Sequence, residues 1–451
     1  MLKGLRVFVD DELESRAQQE LKRESQHSTS RILLPCKRES IIKVFGRLRC
    51  NMKRQQRVPN DDIKSMKVAV YFQWTYRWMV DFVNELSDEV GEVRSYSRGI
   101  FGTYPWEHFR SRTYVLSARS FVPFVAKFLR YRPDIAILLA SETFTTLSIF
   151  VLAKLIGSRI ALVVEENQER TFDSIILRGL SKLKRSIFIA AHKAANIIIA
   201  ESDASREYLL RMGCNPAIIF SLPHGVNTDD FQPERKNLEL AHRIGMRPED
   251  LRKNVVLFVG NYNAYKGAEF MTEAILNFPS DARVVFLIPQ SGPVFLKHAD
   301  ELKALPNLYA YPPIDDQQMP DLYNLADIIV VPSMRCPGTS SDRSPNSLTE
   351  AMACGKAVIG TAVGGIPLIM GTAGLLIAPN ESNAIVEALL TLVGDAELRI
   401  ALGKKARERA VTELSNKVYA ERILELLARA SAAKEQLERS SSVALLRQRE
   451  S

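Results

Sequence analysis

From Met66 onward the chain alternates short unbroken apolar runs with longer stretches whose apolar residues recur every three or four positions. The first pattern predicts strands and the second amphipathic helices. Strands are expected at Met66–Phe72, Asp134–Ala140, Arg159–Val164 and Asn196–Ala200, with helices at Met79–Leu86, Thr143–Ile156 and Ser174–Ala194. A polar, charged stretch interrupts the pattern, and a second alternation opens at Asn254–Gly260. Its further strands are expected at Ala282–Pro289, Leu308–Tyr311, Asp327–Ser333, Ala357–Val363 and Gly374–Ala378, followed by helices at Ile385–Val393 and Ala396–Thr412. Strands joined by helical crossovers imply parallel sheets. Two such alternations imply an α/β chain of two doubly wound Rossmann-like domains facing each other across a cleft.

The expected organisation is a basic, poorly ordered extension at 1–65 and a first domain at 66–227. A connection at 228–253 leads to a second domain at 254–413. A helix at 414–435 is expected to pack back on the first domain, before a polar tail at 436–451. The most membrane-like segment, Ile135–Ile156, carries Glu142 in its middle and Lys154 near its end. It divides into a strand and a helix, each too short to span a bilayer. The N-terminus lacks the apolar core of a signal peptide, and Met66 directly before the first strand is an alternative translation start that an intact mass would check.

Composition adds the setting. Five cysteines without a C-x-x-C pair argue against a disulfide framework and for a reducing cytoplasm. Residues 1–65 hold 15 Lys/Arg against 9 Asp/Glu, which accounts for most of the net charge of +8. The body therefore needs no polyanionic partner, and the basic stretch Arg31–Arg57 reads as a solvated tail. No nucleic acid is expected.

The chemistry concentrates between Asp342 and Gly365. Ser347-Leu348-Thr349-Glu350 has the spacing of a capping box, Gly355 suits a helix C-cap, and Gly364-Gly365 suits a turn after a strand. Each residue but Asp342 thus has a structural role to fill. The same segment follows a predicted parallel strand and opens a helix, which puts it on the sheet edge where α/β domains hold ligands. Helix N-termini favour phosphate, and carboxylates accept from sugar hydroxyls. Val259-Gly260-Asn261…Lys266-Gly267 is the equivalent segment after the first strand of that domain, with Lys266 as a cation for a diphosphate.

In order, Val259-Gly260…Lys266-Gly267, Leu322-Tyr323-Asn324-Leu325-Ala326-Asp327…Val331-Pro332-Ser333, Glu350-Ala351-Met352-Ala353-Cys354-Gly355 and Val363-Gly364-Gly365 resemble one known domain. It is the donor-binding domain of family 4 retaining glycosyltransferases, which have the GT-B fold. The likeness is strong over Asn254–Leu427 and weaker at Ile197–Phe231, where Ser202, Pro223-His224-Gly225-Val226-Asn227 and Phe231 stand at the family's usual places. It implies transfer of a hexose from a nucleotide-sugar to a glycan or glycolipid, with retention, no bound metal and no cofactor beyond the donor substrate. The family's paired acids fall on Asp342, for hexose hydroxyls, and Glu350, for ribose hydroxyls. Lys266 falls on the cation for the diphosphate. Gly260, Asn261, Asn346, Ser347, Gly364 and Gly365 fall along the donor. Glu165 stands where many members have a catalytic histidine, with Glu166 and Asn167 beside it on the acceptor side. Two further departures are Asp342 in place of glutamate and Asn261 in place of an arginine.

The acceptor side is expected in the first domain. Gln73-Trp74-Thr75-Tyr76-Arg77-Trp78 puts aromatic faces and a cation where relatives carry glycines, so Trp74, Tyr76 and Arg77 are candidate acceptor residues. Packing of the following helix explains them equally well. Basic and apolar residues interleave in Phe121–Arg132 and Arg178–Phe188, a pattern that suits either an anionic membrane surface or a helix covering the sheet. The protein is therefore expected in the cytoplasm, with peripheral contact on the inner membrane face as a further expectation. The alternative function is a catalytically weak GT-B protein that binds nucleotide or glycan as a scaffold.

Overall fold

The computed structural model describes residues 63–73, 75–99, 108–116, 121–139, 143–164, 175–335 and 344–432. The first domain is a seven-stranded parallel sheet. Its strands are β1 (Lys67–Phe72), β2 (Glu92–Ser97), β3 (Arg112–Val115), β4 (Ile135–Leu139), β5 (Arg159–Val164), β6 (Ile197–Ala200) and β7 (Ile219–Ser221). They lie in the order β3-β2-β1-β4-β5-β6-β7. The second domain is a six-stranded parallel sheet of β8 (Asn254–Phe258), β9 (Val284–Pro289), β10 (Leu308–Tyr311), β11 (Ile328–Val331), β12 (Ala357–Thr361) and β13 (Leu375–Ile377). Its order is β10-β9-β8-β11-β12-β13. Both sheets are doubly wound, as the alternating pattern predicts, because unbroken apolar strands bury both faces beneath crossover helices.

The membrane-like segment resolves into β4 and the helix Phe144–Ile156, the latter capped by Thr143 and ended at Gly157 in the left-handed region (φ 85°). No helix among the described residues is long and apolar enough to cross a membrane. Three strands went unpredicted: β2, β3 and β7. β2 reads Glu-Val-Arg-Ser-Tyr-Ser, and its buried Ser95 and Ser97 are satisfied by Thr113 at 2.7 Å and Thr75 at 2.8 Å. Hydroxyl pairs of this kind let a polar sequence sit inside a sheet.

The polar stretch at 228–253 does more than connect. It holds the helix Leu238–Ile244, and Phe231, Leu240, Ala241 and Met246 enter the core of the second domain. Asn324 fastens it from both sides, donating to the Gln232 carbonyl at 2.9 Å and accepting from the Glu234 amide at 3.1 Å. Lys236 pairs with Asp327 at 3.0 Å. Four buried apolar residues spread along a charged segment are too sparse to show as a periodic run.

The chain passes between the domains twice, side by side. The Val226 amide donates to the Leu414 carbonyl at 2.8 Å and the Asn416 amide to the Val226 carbonyl at 3.0 Å. Gly225 makes this approach possible, since a Cβ there would lie 2.4 Å from Asn416 Oδ1. After the second crossing a helix at 416–432 lays Tyr419, Ala420, Ile423, Leu424 and Leu427 into the core formed by β1, β4, β5 and the helix Arg77–Glu89. Tyr419 meets Phe82 at 5.1 Å and Trp78 at 6.4 Å, both edge-on.

Truncating Tyr419 to alanine should cost about 3–5 kcal/mol of stability, read as a lowered urea midpoint of the full chain. The Tyr419 hydroxyl is buried without a hydrogen-bond partner among the described residues. Tyr419→Phe should therefore match or exceed the wild-type midpoint.

Candidate active site

The candidate residues of the second domain sit at the carboxyl ends of its three central neighbouring strands, β8, β11 and β12. After β8, Gly260 adopts φ 112° and nothing among the described residues lies within 4 Å of where its Cβ would stand. Asn261 is exposed, with its side-chain oxygen against Gly292 after β9. Lys266 ends the short turn Ala264–Lys266, whose Asn263 cap accepts from the Lys266 amide at 3.2 Å. The half-buried Lys266 ammonium lies 5.6 Å from the Tyr265 ring centre.

Gly267 explains why Lys266-Gly267 and Pro332-Ser333 travel together. It sits at φ 77° with the place of a Cβ 1.8 Å from the Pro332 carbonyl oxygen, so no other residue fits. The Met334 amide donates to the Tyr265 carbonyl at 3.0 Å, which ties the β11 loop to the Lys266 turn. Thr361 at the end of β12 donates to the buried Ser333 carbonyl at 2.6 Å. Three loops are thereby locked together, the first two backbone to backbone and the third through the Thr361 hydroxyl. Gly364 follows β12 at φ 55°, and Gly365 precedes the short helix Ile366–Met370.

The helix after β11 runs Asn346–Ala353 and starts from Pro345, with no side-chain cap. The expected capping box is not formed. The helix begins at Asn346, so Ser347 lies inside its first turn, and Thr349 donates to the Asn346 carbonyl at 3.0 Å. Glu350 turns away from the helix start and accepts from the Tyr323 hydroxyl at 2.7 Å. Burial pushes its carboxyl up to about 7, against the opposing pull of the Tyr323 hydrogen bond and the Arg77 cation. Gly355 takes φ 68° just beyond the helix, as the C-terminal turn requires.

From the first domain, Arg77 opens the helix Arg77–Glu89 and reaches across the cleft. It donates to Asp230 Oδ2 at 2.6 Å and to the Asp316 carbonyl, and stacks 4.8 Å over the Phe231 ring. Asp81, one turn along, lies 3.9 Å from the Arg77 guanidinium. Burial pushes Asp81 up to about 6, with Arg77 opposing and Asp230 adding to the rise. Arg77, Trp78, Asp81, Asn227, Asn346 and Glu350 line one pocket. His224 stacks on Trp78 at 4.3 Å and donates from Nε2 to the Ser344 carbonyl at 2.8 Å.

The structure thus brings Glu350 and Asn346 together with Arg77, a residue expected on the acceptor side. Tyr76 precedes the same helix and packs against the first-domain core. Asp342, Glu165, Glu166, Asn167 and Trp74 lie outside the described residues. Tyr323 lies in the Leu322–Asp327 motif, which gave it no role of its own, and Asp81, Asp230 and Asp316 carried no motif that would mark them beforehand. Among the described residues no three His, Cys, Asp or Glu side chains converge as metal ligands.

Residues 246–409 match the family model for glycosyl transferases group 1. Over these residues the chain is similar to group 1 glycosyl transferases. The domain's relatives include the D-inositol 3-phosphate glycosyltransferase of Xylanimonas cellulosilytica, 28% identical over 48% of this chain and 53% of that protein. The chain thus spans about half the length of this bacterial relative. The sulfoquinovosyl transferase SQD2 of Arabidopsis thaliana is 25% identical over 75% of this chain and 68% of its own. Among solved structures, sucrose-phosphate synthase from Thermosynechococcus elongatus superposes with a TM-score of 0.61 at 19% identity, over 82% of this chain and 100% of that one. Anabaena Alr3699/HepE in complex with UDP-glucose gives 0.61 at 16% identity, over 81% and 100%. With the two parallel sheets, these likenesses establish the GT-B fold.

The burial of Glu350 has a measurable consequence. A carboxyl whose folded value stands at about 7 rather than 4.5 binds its proton more tightly in the folded state. It therefore subtracts stability as pH rises from the unfolded value through the folded one. Glu350→Gln keeps an acceptor for Tyr323 and removes that cost. The variant should be more stable than wild type by about 2 kcal/mol at pH 8, with the gain shrinking towards pH 5 in denaturant melts.

Proposed function

We propose that the protein is a retaining, metal-independent glycosyltransferase that moves a hexose from a nucleotide-sugar to a glycan or lipid-linked acceptor. The observation that carries this reading is the common edge formed by the Lys266 turn, Glu350 and Gly364-Gly365, all within the segment matched to group 1 glycosyl transferases. On this reading Glu350 accepts from the ribose hydroxyls, and Asn346, Ser347, Gly260 and Asn261 flank the nucleotide and diphosphate. Asp342 holds the hexose, while Glu165, Glu166 and Asn167 face the acceptor.

The bond between the anomeric carbon and the diphosphate oxygen breaks while a bond to the acceptor oxygen forms on the same face. The acceptor's proton leaves to the departing diphosphate. Charge grows on the diphosphate as it departs, so the dominant requirement is a fixed positive environment there. Lys266 and the loop amides held by Gly267 and Pro332 supply it without reorganising.

The outer helices of the first domain favour a lipid-linked acceptor in the cytoplasm. On Phe121–Tyr131 the residues Phe124, Phe128 and Tyr131 face inward, while Val122 (77% exposed), Lys127 and Arg130 are exposed. Phe144, at 76% exposed, lies at the start of the next helix. Exposed apolar residues among cations suit a surface of anionic lipid.

Incubation with a panel of nucleotide-sugars should show donor consumption or slow hydrolysis that survives EDTA. Lys266→Ala should lower turnover by about 100-fold or more. Nucleotide binding with no donor consumed, even with sugar and lipid acceptors, would leave the scaffold reading in its place. In flotation assays the protein should rise with anionic liposomes and stay behind with neutral ones, and absence of binding to both removes the membrane part.

A further inference from the structure

Arg77 is a cation of the cleft, additional to Lys266, that the loop motifs did not mark. It comes from the other domain, from a loop that sequence alone assigns to the acceptor. Its guanidinium is held three ways by the second domain: stacked on Phe231, ion-paired with Asp230 and bonded to the Asp316 carbonyl. A planar fork stacked on a ring and bonded at its edge is a geometry that arginine makes and lysine does not.

The groups that face Glu350 are Tyr323, which donates to it, Arg77, and the carboxylates of Asp316 and Asp81. Cys354, one turn along the same helix, is also within electrostatic reach. Arg77 is the cation among these groups. It lines one pocket with Glu350 and Asp81, while Asp230 and Asp316 are its own anchors.

We infer that Arg77 is a positioning residue that latches the first domain onto the second and supplies the charge against which Glu350 meets the nucleoside. The latch requires contacts across the cleft, and Phe231, Asp230 and Asp316 supply them. The second role rests on the reading of Glu350 as the ribose acceptor; the latch does not. Arg77 thereby makes domain closure and donor capture one event. With the cleft shut, Glu350 has its cation and can carry charge at neutral pH. With the cleft open, Arg77 and Asp81 move off together on their shared helix, and Glu350 keeps its Tyr323 hydrogen bond but loses its cation.

Two readouts on the full chain separate the parts. The first is the distance between spin labels at exposed Glu207 and Glu387, one in each domain, in ligand-free protein. Arg77→Gln should broaden and lengthen that distance, Arg77→Lys should do so partly, and Glu350→Gln should leave it as in wild type. The second is the pH dependence of binding of UDP, GDP and ADP by calorimetry. Binding should be complete above the Glu350 titration and lost as pH falls through it. Arg77→Gln should move that midpoint upward, and Arg77→Lys should return it towards wild type. An unchanged distance distribution and an unchanged midpoint in Arg77→Gln overturn the inference. If Glu350→Gln binds nucleotide like wild type at every pH, the reading of Glu350 fails instead, and the distance measurement alone decides the latch.

Discussion

The backbone exchange between Val226 and residues 414–416 is the contact on which the rest of the molecule depends. Two peptide hydrogen bonds place the outgoing and returning crossings against each other, and Gly225 is the residue small enough to permit it. From this point the chain leaves for the second domain and returns to complete the first. His224 stacks on Trp78 two residues before the crossing at Val226 and bonds to Ser344 in the loop before the site helix. Asn227 and Phe231, just after it, carry the contacts that meet Arg77 and Asp81. The two halves of the cleft are thus referenced to one short stretch of main chain.

The loops after β8, β11 and β12 are built largely on the same logic of main chain against main chain. Gly267 presses on Pro332, Met334 bonds to Tyr265, and Thr361 holds Ser333, so three loops share a single rigid arrangement. Side chains that carry charge are then set into this frame at some cost. Glu350 and Asp81 are acids kept where burial disfavours their ionisation, and Arg77 partly relieves both. A fold selected for stability alone would not place two carboxyls there.

Most of the fold was legible because parallel strands buried on both faces announce themselves as unbroken apolar runs. β4, Ile135–Leu139, and β9, Val284–Pro289, are wholly buried and were plain from composition. β2 was not, because Ser95 and Ser97 are buried as hydroxyl pairs rather than as apolar side chains. The segment 228–253 reads as a polar connection because only Phe231, Leu240, Ala241 and Met246 reach the core. At the site, the motif spacings located the loops but not the directions of their side chains. Ser347-Leu348-Thr349-Glu350 has capping-box spacing, yet the helix starts at Asn346, which turns Glu350 towards Tyr323. Arg77 is an acceptor candidate on sequence because it follows aromatic residues after the first strand; its partners Phe231, Asp230 and Asp316 lie far away in sequence, where only tertiary structure joins them.

The helix at 416–432 sets a timetable for synthesis. Tyr419, Ile423 and Leu427 are core residues of a domain whose first strand begins at Lys67. While the ribosome is still making the second domain, the first has its sheet but lacks one wall of its interior. The second domain, whose core is drawn from Val226 to Leu414, has all of its parts earlier. Domains emerging from the ribosome usually close in order from the N-terminus. Here the half made first is finished after the second, and its apolar face waits uncovered until the helix at 416–432 arrives.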